Sequence, residues 1–214
     1  MTVNEEFGKG IILLQERSEV FKLLVEKLGV IRFEKRNTNF QAFAKIIISQ
    51  QLSAKAAENI FQRVCSISAK KKTELNPKDF IKIEDDQLKD CGVSKFKARF
   101  IRNLAKKFIE NPNFTNEWVG LTDTEAKYEI KKLDGFGEWS SGIVMLFYFG
   151  RLNIFPQGDA TLIKAHKILF NCCLSKSLKE IDWAIPFKGV LALYYWRWVD
   201  SGMMGLGLEK KYNL

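Results

Sequence analysis

The sequence lacks the long apolar run of a membrane-spanning helix and the cysteine pattern of a stapled or metal-bound domain. No stretch of about 20 consecutive apolar residues occurs in the 214-residue chain. Its four cysteines, Cys65, Cys91, Cys172 and Cys173, match neither a zinc site nor the cluster that holds an iron–sulfur centre. The first residues are acidic, the reverse of a secretory signal. We therefore expect a reduced, intracellular protein with no membrane partner and no iron–sulfur cluster.

Positive charge is in clear excess. The chain has 34 lysine and arginine residues against 25 acidic ones, a net charge of +9 and a pI near 9.3. This balance favours a polyanionic partner, because neutralised phosphates release counterions and add salt-dependent affinity. Charge alone is weak evidence, since many basic proteins of this size bind no nucleic acid.

Hydrophobic periodicity predicts an all-α protein. Apolar residues recur at spacings of three and four along most of the chain, and alternating runs typical of strands are scarce. Residues 20–28 predict an early helix that ends before Gly29. Ser53, Ser94 and Thr122 are in suitable places to cap later helices. The single histidine, His166, is expected at the surface or against phosphate and is given no catalytic role.

The segment 133–139 contains two glycines, Gly135 and Gly137, between predicted helices. A turn of this kind forms a helix-hairpin-helix, in which glycine permits positive φ and close approach of the backbone to a ligand. Amide groups at the start of the following helix favour an anion such as a DNA phosphate. The same turn is equally compatible with a simple corner between two helices.

A second loop, Phe155-Pro156-Gln157-Gly158-Asp159, ends at the start of another predicted helix. Proline and glycine shape a tight turn that delivers the Asp159 carboxylate to the helix N-terminus. Asp159 is a candidate functional carboxylate, but a plain N-cap is the more common role for an aspartate there. The two roles are compatible, since a capping carboxylate is held rigidly.

Together these motifs resemble the helix-hairpin-helix–GPD superfamily of base-excision DNA glycosylases. Residues 135–137 are similar to its hairpin, and residues 156–159 to its catalytic loop. Residues 49–57 resemble the segment that opens the core of 3-methyladenine DNA glycosylase II enzymes, and residues 91–98 its loop before a basic helix. One departure is Lys188-Gly189, where these enzymes often have Arg-Ser, which puts local DNA-backbone contacts there in doubt.

The resemblance implies an all-α, two-lobed helical fold with the active-site cleft between the lobes. One lobe would comprise residues 36–150, and the other residues 1–35 with 151–214. The family's catalytic aspartate falls on Asp159. Such a carboxylate stabilises the oxocarbenium-like charge as the base leaves and orients or deprotonates a water molecule.

Trp139 stands where bifunctional relatives have a lysine that attacks the sugar. Without that amine no Schiff base forms at this position, which predicts a monofunctional enzyme with an abasic site as product. Trp139 and, by similarity of position, Trp196 are expected to line the pocket, where an indole stacks on a flipped cationic base. Packing in the core is the alternative for Trp139.

The resemblance also implies DNA contacts and one ion site. Gln51 and Leu52 occupy the family's wedge position, which fills the gap left by a flipped base; a solvated turn between helices is the alternative. Gly135, Phe136 and Gly137 are expected to bind DNA. Backbone carbonyls of Lys131, Leu133 and Phe136 would hold a structural Na⁺ or K⁺, and no other cofactor is required.

The sequence therefore predicts a monomeric glycosylase that removes alkylated purines of the 3-methyladenine and 7-methylguanine type from double-stranded DNA. It would lie in the cytoplasm of a prokaryote or the nucleus of a eukaryote. Two alternatives stay open: a related glycosylase for oxidised, deaminated or mismatched bases, and a non-catalytic DNA-binding module.

Overall fold

The structure, a computed structural model, describes residues 2–68 and 74–203, and all regular secondary structure in these ranges is helical. This confirms the all-α prediction. None of these helices is long and apolar enough to cross a membrane. The α-helices are α1 (Val3–Arg17), α2 (Glu19–Leu28), α3 (Phe40–Ser49), α4 (Ala54–Ser68), α5 (Pro77–Phe80), α6 (Asp85–Asp90), α7 (Lys95–Glu110), α8 (Asp123–Lys131), α9 (Glu138–Phe147), α10 (Ala160–Phe170) and α11 (Lys188–Asp200), with 3₁₀ helices at Phe114–Trp118 and Lys179–Ala184.

The chain divides into two compact units. The central unit is Arg36–Ser141, and the terminal unit combines Met1–Lys35 with Gly142–Leu214. The second division point falls within α9, earlier than the residue 150 expected from the sequence. The sequence places a break after α9, whereas the packing changes within the helix.

Helix starts in the central unit follow the capping residues in the sequence. The Ser53 hydroxyl accepts a hydrogen bond from the Ala56 amide at 3.2 Å, and Ser94 accepts one from Lys97 at 3.4 Å. Thr122 forms a capping box with Glu125. These side chains satisfy amides that a helix N-terminus leaves without partners.

The core of the central unit is built from aromatic rings around Phe43 of α3. Its ring centroid lies 5.9 Å from that of Phe108, 6.3 Å from Trp118 and 5.6 Å from Phe136. Phe136 belongs to the glycine-containing turn between α8 and α9. The buried contact between Phe43 and Phe136 therefore fixes that turn against α3.

The terminal unit contains α1, which the sequence pattern does not predict. Gly8 and Gly10 weaken the helical signal, since glycine costs about 1 kcal/mol relative to alanine inside a helix. Packing explains the second glycine: a Cβ on Gly10 would lie 2.8 Å from the Phe187 ring and 2.9 Å from Val190. Gly10 permits α1 to approach the start of α11 closely.

His166 is buried in the terminal unit, so its expected place at the surface is wrong. Its Nδ1 lies 3.0 Å from the Tyr195 hydroxyl, its Nε2 lies 3.2 Å from Cys172 Sγ, and its ring stacks on Phe170. Burial lowers the pKa of His166 below its usual value of 6.5. The neutral imidazole is the form that fits this environment.

Stability should therefore fall in mild acid. The unfolded chain takes up a proton at His166 as pH falls through about 6.5, whereas the folded protein resists it, so protonation favours unfolding. We expect the free energy of unfolding in urea to fall between about pH 7 and pH 5.5. The His166→Gln variant, though less stable at neutral pH, should change less over the same interval. Parallel pH profiles would contradict this role.

Candidate active site and nucleic-acid interface

The turn between α8 and α9 is a helix-hairpin-helix whose first glycine is structurally required. Gly135 has φ +82°, and a Cβ there would lie 2.5 Å from the Phe100 ring of α7. The neighbouring Asp134 accepts a hydrogen bond from the Asn103 side chain at 2.6 Å. Helix α7 thus supports the turn from two positions.

Gly137 differs from Gly135, so the expectation of positive φ holds for only one of the two glycines. Gly137 has no positive φ, and a Cβ there would meet nothing within 4 Å. Its amide donates to the Ser140 hydroxyl at 2.8 Å, and its carbonyl accepts from the Ser141 amide at 3.0 Å, so it caps α9. Packing within the protein leaves room for a side chain here.

Phe136 is buried between the two glycines, against Phe43. A DNA contact from this residue would therefore come from its backbone. The carbonyl of Leu133, one of the three expected ion ligands with those of Lys131 and Phe136, accepts a hydrogen bond from the Phe136 amide at 3.0 Å. The Na⁺ or K⁺ site stays a prediction.

The expected wedge lies in a tight, exposed turn between α3 and α4. Gln51 has φ +58°, unusual for a residue with a side chain, and Leu52 is 40% exposed. An exposed leucine beside a glutamine in a projecting turn suits insertion between stacked bases. The structure places both expected wedge residues together at its tip.

Two residues that anchor this turn were not assigned a role from the sequence. Lys97 of α7 donates to the carbonyls of Ile48 and Gln50, each at 2.8 Å. The Gln50 side-chain amide donates to the carbonyl of Gly135 at 2.6 Å. In the sequence, Lys97 is one of many basic residues in α7, and only its position on the helix face that meets α3 distinguishes it.

Asp159 is the N-cap of α10 in the terminal unit. Its Oδ1 accepts a hydrogen bond from the Leu162 amide at 2.9 Å, and its carbonyl accepts one from Ile163 at 3.0 Å. Gly158 before it has φ +81°. The carboxylate is half-buried and fixed in orientation, as a catalytic group must be.

The approach of the Asp159 loop to α9 depends on another glycine. A Cβ on Gly142 would lie 2.9 Å from the Pro156 backbone. Any larger residue would displace the loop that carries the aspartate. The need for glycine at this position was not recognised in the sequence.

The two expected pocket tryptophans are both half-buried, in different units. Trp139 lies in the first turn of α9, directly after the hairpin. Trp196 lies on α11, with its ring stacked on Phe147 at a centroid distance of 5.7 Å. By contrast, Trp118 and Trp198 are buried in the cores of their units.

The segment that departs from the family pattern is used within the protein. Lys188 forms an ion pair with Asp182 at 2.6 Å and is largely buried. A Cβ on Gly189 would lie within about 3 Å of the carbonyls of Leu152 and Ile154. Lys188 and Gly189 thus serve the packing of α11.

Residues 2–68 and 74–203 contain no group of three or more histidine, cysteine or acidic side chains arranged to hold a metal. All four cysteines are free thiols, with Cys65 and Cys91 buried and Cys172 and Cys173 exposed. Burial raises the pKa of Cys65 and Cys91, which disfavours the thiolate form that binds metals. The expected absence of an iron–sulfur cluster stays a prediction.

Comparison with known families matches the model of the HhH-GPD superfamily base excision DNA repair proteins to residues 44–183. The chain belongs to this family. The matched range contains the turn with Gln51 and Leu52, α7, the hairpin and Asp159. All of these elements therefore belong to one family domain, as the resemblance implies.

Named relatives cover most of the chain. It is 24% identical over 182 residues to the alkylbase DNA glycosidase-like protein mag2 of Schizosaccharomyces pombe, covering 81% of this chain and 85% of the relative. It is 25% identical over 198 residues to DNA-3-methyladenine glycosylase 1 of the same yeast, covering 88% and 86%.

A solved structure of the 3-methyladenine DNA glycosylase of Schizosaccharomyces pombe in complex with abasic DNA has a similar fold. The TM-score is 0.79 at 24% identity, over 90% of this chain and 97% of that one. At this identity the likeness shows the fold alone.

The two hairpin glycines should respond differently to the same substitution. Gly135→Ser forces a side chain into positive φ against Phe100 and should lower the free energy of unfolding by at least about 1–2 kcal/mol. Gly137→Ser, which keeps a favourable N-cap residue, should change stability by less than about 0.5 kcal/mol. Urea unfolding and fluorescence-anisotropy binding to duplex DNA test both.

If the hairpin backbone approaches a phosphate, Gly137→Ser should still weaken binding to duplexes of different sequence by similar factors. Equal stability losses for the two variants would contradict the structural distinction. Unchanged DNA affinity of Gly137→Ser would contradict the close approach.

Proposed function

We propose that this protein is a monofunctional base-excision DNA glycosylase. It hydrolyses the N-glycosidic bond of alkylated purines, of the 3-methyladenine and 7-methylguanine type, flipped from double-stranded DNA. The observation that carries the proposal is the rigidly capped Asp159 carboxylate, 2.9 Å from the Leu162 amide, following the hairpin in the family's order. Similarity to yeast DNA-3-methyladenine glycosylase 1 over 88% of the chain supports the substrate class.

Asp159 supplies the negative charge that the reaction needs. As the bond between the base and C1′ of the sugar lengthens, positive charge develops on the sugar, and a nearby carboxylate stabilises it. The same carboxylate orients a water molecule, whose oxygen bonds to C1′ while its proton passes to the carboxylate or to solvent. The products are the free base and an intact strand with an abasic site.

Trp139 makes hydrolysis the expected outcome. A lysine two residues after the second hairpin glycine would attack C1′ through its amine and lead to strand cleavage. An indole has no nucleophilic amine and forms no Schiff base. Water is therefore the nucleophile.

The aromatic candidates favour a cationic lesion. A base alkylated at N3 or N7 already carries positive charge, so it leaves without protonation and stacks favourably on indole rings. Trp139 and Trp196 are the candidates for this contact, and both remain partly exposed. Recognition by charge and stacking requires few base-specific hydrogen bonds.

The same proposal includes the partners and ions. The protein acts as a monomer, and its macromolecular partner is double-stranded DNA. The excess of basic residues supports DNA as the partner. No cofactor takes part in the chemistry. A Na⁺ or K⁺ on the carbonyls of Lys131, Leu133 and Phe136 would have a structural role.

Asp159→Asn tests the catalytic assignment. The amide keeps the shape and can still cap α10 but lacks the charge, so base release should fall at least about 100-fold while affinity for abasic-site DNA stays within a few fold. Single-turnover release of 3-methyladenine from methylated duplex DNA, followed by chromatography, measures the first. Fluorescence anisotropy measures the affinity for abasic-site DNA.

The wild-type product should be an unbroken strand, and borohydride should trap no covalent adduct. A trapped adduct would place the protein among bifunctional enzymes. An Asp159→Asn variant as active as wild type would refute the catalytic role, and a wild type that binds duplex DNA but releases no base would favour a binding module.

Trp139→Ala tests recognition by charge. Cation–π attraction in a desolvated site is worth about 2 kcal/mol, or roughly thirty-fold in rate, and applies only to a cationic base. Release of 3-methyladenine should therefore slow by a larger factor than release of neutral hypoxanthine. Single-turnover rates of both, as ratios to wild type at one pH, measure this. Equal factors would mean that Trp139 supplies only shape.

A further inference from the structure

We propose that Lys97 is a positioning residue that holds the wedge turn in the shape needed for base flipping. The wedge turn is residues 50–53, with Gln51 and Leu52 at its tip. The inference rests on the proposed function and assigns a role to a lysine inside the central unit. Lys97 acts through the backbone of the turn.

The geometry at Lys97 is specific. One ammonium group donates to two backbone carbonyls, those of Ile48 and Gln50, at 2.8 Å each. These carbonyls lie at the C-terminal end of α3, where a helix leaves acceptors without partners and carries partial negative charge. A cation at this position donates to both carbonyls and interacts favourably with the helix dipole.

The other carbonyls at this helix end are occupied as well. Ile46 accepts from the Ser49 hydroxyl at 2.9 Å, Ile47 accepts from the Gln50 amide at 3.4 Å, and Ser49 accepts from the Leu52 amide at 3.2 Å. The carbonyls held by Lys97 flank the point where the chain leaves the helix. The next residue, Gln51, takes up φ +58°.

The positive φ of Gln51 costs free energy, and the hydrogen bonds from Lys97 offset part of that cost. A non-glycine residue in the left-handed region costs about 1–2 kcal/mol, so the turn needs fixed points on both sides to persist. Lys97 provides one of them through Gln50. Lys97 is half-buried, and burial lowers the pKa of its ammonium group below the usual value.

The turn is also tied to the hairpin. The Gln50 side chain donates to the Gly135 carbonyl at 2.6 Å, and α7 packs Phe100 against Gly135 one turn from Lys97. Helix α7 thus sets the spacing between the backbone-binding hairpin and the wedge. Binding of the hairpin to phosphates would place Gln51 and Leu52 at a fixed position in the base stack.

A selective loss of activity tests this role. A wedge is needed when the lesion is stacked in duplex DNA, and much less when it is already unpaired. Lys97→Met should slow single-turnover 3-methyladenine release from a paired duplex by roughly ten-fold or more, and from the same lesion in an unpaired bubble by less than about two-fold. Lys106→Met, which removes the same charge from an exposed position on α7, should keep the wild-type ratio of the two rates.

A combined variant separates positioning of the wedge from general damage to the protein. If Lys97 acts through the wedge, Lys97→Met should add little to the loss caused by Gln51→Ala with Leu52→Ala. Lys97→Arg, which retains charge and donors, should recover part of the duplex rate. Gln50→Leu removes the bond to Gly135 but leaves the Lys97 contacts in place, so it tests the tie to the hairpin separately. If Lys97→Met folds poorly, Lys97→Gln, which keeps a donor but not the charge, takes its place and should show the same selective loss.

A binding measurement that does not depend on catalysis complements these rates. Fluorescence of 2-aminopurine beside an abasic site should rise on binding of wild type, as the wedge disturbs the stack, and rise less with Lys97→Met at saturating protein. Equal slowing on duplex and bubble, or fully additive losses, would overturn the role of Lys97. Absence of base release by wild type on both substrates, with an intact fluorescence difference, would instead refute the proposed function.

Discussion

The contact between Gly135 and α7 is the constraint on which the arrangement of the hairpin and the wedge turn depends. Positive φ at Gly135 turns the chain between α8 and α9, and the lack of a Cβ lets the Phe100 ring lie against it. The Gly135 carbonyl then accepts the Gln50 side chain, which joins the hairpin to the wedge turn. Gly135 thus contacts α7 through Phe100 and the end of α3 through Gln50, and it forms the turn that leads into α9.

Capping and the catalytic role that we propose for Asp159 require the same property of its carboxylate. A carboxylate that accepts the Leu162 amide is fixed relative to α10, and a fixed negative charge costs no reorganisation when positive charge develops nearby. The close approach of Pro156 to Gly142 holds the preceding loop. Stability of the helix start and placement of the charge therefore depend on one hydrogen-bonded arrangement.

Much of the fold could be predicted from the sequence, because capping residues and apolar periodicity are local signals. Helix α7 begins after Ser94, and α10 after Asp159, as those signals indicate. Helix α1 was missed because the need for Gly10 comes from Phe187 and Val190, which are distant in the chain. The contacts of Lys97 and His166 were missed for a similar reason, since only tertiary packing distinguishes the half-buried Lys97 and the buried His166 from exposed residues of the same type.

The first turn of α9, where we propose that the hairpin approaches a DNA phosphate, carries a carboxylate of its own. Glu138 lies in the first turn, where it would compete with an external anion for the helix dipole. Hydrogen bonds from Lys127 and then Lys131 lower its pKa and surround it with two positive charges. The group of three carries a net positive charge, so Glu138 holds the two lysines of α8 beside the turn without cancelling their combined charge.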